Sequence, residues 1–138
     1  MQQLIQEILR LCREYGECRM EVERREEARK VKNTLESVCA GAGQGLDISD
    51  PALLLALLEA YEVTRDEGML QEVLDVVSGG MDRLEVSMES VKLLAYCYYY
   101  VEEEECGARA REMLEELRKM GRGKEELADA ETILEELT

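Results

Sequence analysis

Thirty-two acidic side chains, five cysteines, six tyrosines and no histidine set what this 138-residue chain can do chemically. Paired carboxylates recur, as in Glu102, Glu103, Glu104 and Glu105, and in Glu125 and Glu126. Such pairs serve acid–base catalysis only when buried beside a pocket. In so acidic a chain their default place is a solvated face. Without histidine there is no Ser-His-Asp or Cys-His pair, and no zinc site of the histidine-containing kinds. Cys12, Cys18, Cys39, Cys97 and Cys106 are odd in number and show no CxxC spacing. Cys12 and Cys97 lie within apolar runs and read as small core hydrophobes. Cys106 follows four glutamates, which raise a thiol pKa rather than activate it.

Two short stretches resemble ligand loops and fail on inspection. Gly41, Gly43 and Gly45 have no strand before them and no Lys-Ser/Thr after them, so the phosphate-loop patterns do not apply. Asp47, Ser49 and Asp50 have the oxygen spacing of a partial calcium loop, but the loop glycine and the closing glutamate are missing. A flexible linker and a helix N-cap cluster are the better readings. No enzyme, no cofactor and no metal are expected.

The net charge of −15 argues against nucleic acid, which requires a basic surface. It argues equally against an anionic membrane surface. The charge is unevenly spread. Residues 1–40 hold eight bases and eight acids, whereas residues 41–138 hold nine bases and 24 acids. No apolar run reaches the roughly 18 residues a membrane span needs. The opening MQQLIQEILRLCREY places charges inside an apolar pattern and reads as no cleavable leader. With an odd cysteine count, a reducing cytoplasm is the expected compartment.

The elements that must position these residues are helical throughout. Leu4, Ile8, Leu11, Tyr15, Cys18 and Val22 recur three or four apart, then Ala28, Val31, Leu35 and Val38 resume the stripe. Residues 1–39 are expected to be one long kinked helix or a helix pair, with Gly16 a possible break. The glycines of 40–50 mark a linker. Asp50 and Pro51 open a helix as N-cap and first residue. Further helices follow to Gly79 and Gly80, from about Val86 to Val101, and from within the glutamate run to Gly121 or Gly123. A last capping helix is expected over 124–138, and the whole forms one compact domain. The fold class is all-α, about six or seven helices in antiparallel hairpins stacked as a short solenoid.

Leu54, Leu57, Leu58, Tyr61, Leu70, Leu74 and Val77 form a set. Forty residues on lie Leu94, Cys97, Tyr98, Val101, Ala110, Leu114 and Leu117, all apolar or tyrosine. Residues 51–121 thus read as two helical-hairpin repeats with a period of 40. Their spacing resembles the tetratricopeptide-repeat superfamily in degenerate form. Leu58 and Tyr98 stand where the family takes a small residue, and Leu70 where it takes alanine. The period exceeds the family's 34 residues, and no proline closes either repeat. Residues 53–77 and 107–120 are also similar in texture to the coatomer epsilon subunit of vesicle coats. The resemblance implies a scaffold or adaptor without catalysis.

Four of the six tyrosines fall in YCYYY, at 96 and 98–100. With Leu94, Cys97, Tyr98 and Val101 facing inward, Tyr96, Tyr99 and Tyr100 lie on the flank. Tyrosine brings large contact area at low entropy cost, which makes these three the candidate partner-binding residues. The expected function is protein–protein interaction as a small subunit of a larger assembly. The alternative is a helical bundle that self-associates through residues 1–39, giving a homo-oligomer. The repeat region is short of bases, so a basic or apolar partner segment is expected.

Overall fold

A computed structural model describes residues 2–121 and 128–136, and among them the chain is all-α, with no strand. Seven helices follow in order: α1 (Gln2–Arg19), α2 (Arg25–Gly43), α3 (Pro51–Thr64), α4 (Glu67–Gly80), α5 (Met88–Val101), α6 (Glu104–Lys119) and α7 (Ala128–Glu136). Short 3-10 turns at Val22–Arg24 and Met81–Arg83 precede α2 and follow α4. Leu127 and Leu137, expected in the last helix, lie outside the described residues.

The chain divides into two compact units, Met1–Gly79 and Gly80–Thr138. In the first, α1 packs against α2 and α3. Ile8, Leu11 and Cys12 of α1, with Val31, Leu35 and Cys39 of α2, are buried as the stripe of apolar residues requires. In α3, Leu53, Leu54, Ala56, Leu57, Leu58, Ala60 and Tyr61 are all buried. A helix apolar all round belongs to an interior. Asp50 occupies the N-cap position before Pro51, but its carboxylate makes no capping bond. In the second unit α5 packs against α6 and α7. Ser87 caps α5 by accepting the Ser90 backbone N–H at 3.1 Å. Arg118 of α6 pairs with Glu131 of α7 at 3.2 Å.

Gly16 does not break the first segment. It lies inside α1, and the chain turns at Met20 and Glu21, so residues 1–39 hold a helix pair. The expected linker over 40–50 starts too early, because α2 runs through Gly41 to Gly43. Cys39 and Ala42 are buried there and carry the apolar stripe to the end of the helix. That packing outweighs the roughly 1 kcal/mol that each helical glycine costs. The turn expected within the glutamate run is found at Glu102 and Glu103, with Glu102 left-handed at φ 55°.

The two helix pairs correspond at an offset of 37 rather than 40. Pro51, Thr64 and Glu67, which bound α3 and open α4, correspond to Met88, Val101 and Glu104, each 37 residues on. The helix ends agree in detail: the Arg65 N–H donates to the Tyr61 carbonyl at 2.7 Å and the Glu102 N–H to the Tyr98 carbonyl at 2.8 Å. Leu54, Leu57, Leu58 and Ala60 are buried, and so are Val91, Leu94, Ala95 and Cys97. The period of 40 required Val101 to be inside, yet it is exposed. The error is one helical turn. Apolar positions on a helix recur every three or four residues, so a three-residue slip still matches apolar to apolar.

Candidate partner surface

The three flank tyrosines sit on one helix and differ in exposure. Tyr99 is 53% exposed, while Tyr96 and Tyr100 are half-buried. The Tyr99 and Tyr100 rings meet edge to face, 5.2 Å between centroids at 73°. That geometry suits the quadrupoles of the two rings. Val101 follows, exposed, and Glu102, Glu103, Glu104 and Glu105 are exposed after it. The end of α5 is therefore an aromatic and aliphatic patch bordered by four carboxylates.

Tyr98 has a different surrounding. A Cβ placed on Gly107 of α6 would lie 3.2 Å from three atoms of its ring, so the ring lies directly on the α6 backbone. The Arg111 guanidinium stands 5.7 Å from the ring centroid. Tyr98 thus belongs to the α5–α6 contact and Tyr99 to the surface. With the period of 37, Tyr96, Tyr99 and Tyr100 correspond to Glu59, Glu62 and Val63. A period of 40 would set them against Ala56, Glu59 and Ala60 instead, of which both alanines are buried.

All five cysteines are free and buried. Burial pushes the thiols of Cys12 and Cys39 up to about 12, with Glu59 acting on the first and Asp66 and Glu72 on the second. Burial and then Glu103 push Cys106 up to about 11. Burial holds Cys97 well above the ordinary thiol range. Thiols held protonated at neutral pH are poor nucleophiles. Among the described residues no group of three or more cysteine, aspartate or glutamate side chains could hold a metal ion. None of the described helices is long and apolar enough to cross a membrane.

One feature had only a partial signal in the sequence. A cleft of about 310 Å³ lies where α1 turns into α2, lined by Tyr15, Arg19, Glu21, Val22, Arg25, Ala28, Arg29 and Lys32. Its signal was the neutrality of residues 1–40 and the spacing of Arg25, Arg29 and Lys32, which places them on one face of a helix. No family model, curated protein or solved structure matches this chain.

Proposed function

We propose that this chain is a non-catalytic interaction module built of tetratricopeptide-like helical hairpins, serving as a scaffold or adaptor subunit of a larger cytoplasmic assembly. The observation that carries this reading is the exposed Tyr99 ring, set edge to face on Tyr100 beside exposed Val101. An aromatic anchor with a polar rim is the usual composition of an energetically important contact. The bordering glutamates favour a partner segment that combines apolar side chains with lysine or arginine, since a cation gains from both carboxylates and ring faces.

The repeat register supports the family resemblance. With a period of 37, Tyr61 and Tyr98 hold the same place on the first helix of each hairpin. Ala95 and Gly107 then supply small residues where the family takes them, while Leu58, Leu70, the period above 34 and the missing closing prolines still depart. Self-association through the first hairpin is the second reading. It is favoured by Met20 and Val22, which are 80% and 77% exposed at the turn between α1 and α2.

Affinity capture with the wild-type chain and with Tyr99→Ser tests the proposal. The wild type should retain a defined partner at fixed stoichiometry, and Tyr99→Ser should lose it while unfolding at the same temperature. Retention of the same partner by both proteins would contradict it. A wild-type dimer broken by Met20→Ser would favour the second reading.

A further inference from the structure

The cleft between α1 and α2 reverses the chemistry of the rest of the chain. Acids outnumber bases 32 to 17 overall, yet this cleft is lined by four bases and one acid. The one acid, Glu21, lies 3.8 Å from Arg24, which is held more closely by Glu27 at 2.9 Å. Arg19 is fixed in place: its Nη1 donates to the Val63 carbonyl at 3.0 Å and its guanidinium lies 5.8 Å from the Tyr15 ring centroid. Arg25, Arg29 and Lys32 line the α2 side at spacings of four and three. Arg29 pairs with Glu26 and Lys32 with Glu36, in exposed i,i+3 and i,i+4 contacts that exchange readily. Arg25 is the first residue of α2, where a base opposes the helix dipole, so helix stability does not account for it. Tyr15, Ala28 and the exposed Val22 add apolar wall.

We infer that this cleft binds an acidic peptide segment of a partner protein, with its carboxylates on Arg19, Arg25, Arg29 and Lys32 and an apolar side chain against Tyr15 and Val22. Charge complementarity selects the occupant. At physiological salt the Debye length is about 8 Å, so the four bases and the glutamates paired with them, Glu26 and Glu36, govern what enters. The volume, about 310 Å³, suits one or two side chains and their backbone. This site belongs to the first unit and the tyrosine patch to the second, with opposite charge preferences, so the chain would join an acidic segment through one unit and a basic segment through the other.

Fluorescence anisotropy with a labelled decapeptide of glutamate and leucine, and with its glutamine-for-glutamate twin, tests the inference at 0.15 M salt. The acidic peptide should bind at least about tenfold more tightly than the neutral one, and Arg25→Glu should weaken it by on the order of tenfold. Glutamate is favourable in the first turn of a helix, so that variant keeps its fold, which circular dichroism verifies. Arg29→Gln should weaken binding less, and Tyr99→Ser should leave it unchanged. Equal binding of the two peptides, or no effect of Arg25→Glu, would overturn the inference. So would a wild-type dimer that Arg25→Glu makes monomeric, because the occupant would then be a second copy of the chain.

Discussion

The α3–α4 pair and the α5–α6 pair share one register of helix bounds and buried positions and are finished for different ends. Thirty-seven residues apart, Leu57 and Leu94 are both fully buried and Tyr61 and Tyr98 each carry an arginine over the ring. The differences lie on the outside and at one contact. Glu62 of the first hairpin becomes Tyr99 in the second, and Leu70 becomes Gly107. The shared positions make the fold, and the positions that differ are where the second hairpin acquires an aromatic surface.

The largest effect comes from the shared core. Leu57→Ala and Leu94→Ala should each cost about 2–5 kcal/mol in chemical denaturation, because each removes a side chain with almost no solvent exposure. A small loss at one and a large loss at the other would break the equivalence of the two hairpins. Gly107→Ala comes next, at about 1–3 kcal/mol, since the added Cβ would press on the Tyr98 ring. A variant as stable as the wild type would mean that this ring is free to move aside.

The thiols give a pH test. An unfolded thiol titrates near 9, while the folded Cys12, Cys39 and Cys106 titrate at about 12, 12 and 11. Below pH 9 both states hold the proton and these groups leave stability unchanged. Above it the unfolded chain releases protons that the folded chain retains, so stability falls as pH rises, by up to about 1.4 kcal/mol per pH unit for each thiol. Urea midpoints measured from pH 7 to 10.5 should be flat and then decline. The smallest effect is at the two left-handed helix ends. Glu102→Gly should stabilise by about 1 kcal/mol, as glycine relieves the strain at φ 55°. Arg65→Gly should gain less, because it also removes the cation over Tyr61.

Much of this molecule was legible in its sequence, for physical reasons that also mark where reading stopped. Helices are legible because burial demands a period near 3.6, and the glutamate turn because carboxylates oppose one helix end and favour the other. The repeat period was misread by one turn, since a helical stripe matches itself after three residues. Gly41 and Gly43 were misplaced because propensity is local and the burial of Cys39 and Ala42 is not. The tyrosines were visible as residue types, and the exposure of Tyr99 follows from helix geometry. Of the basic cleft the sequence carries only the charge balance of residues 1–40 and the spacing of Arg25, Arg29 and Lys32, because the rest depends on how α1 and α2 approach at their turn.

The central claim is that Tyr99 serves association and not folding. Its equivalent, Glu62, supplies the control. Tyr99→Ser and Glu62→Ser should both leave the free energy of unfolding within about 0.5 kcal/mol of wild type, as expected of exposed sites. Partner affinity, measured by calorimetry with the captured partner, should fall about tenfold or more for Tyr99→Ser and stay unchanged for Glu62→Ser. Equal losses of stability and affinity for Tyr99→Ser, or no loss of affinity, would contradict the account.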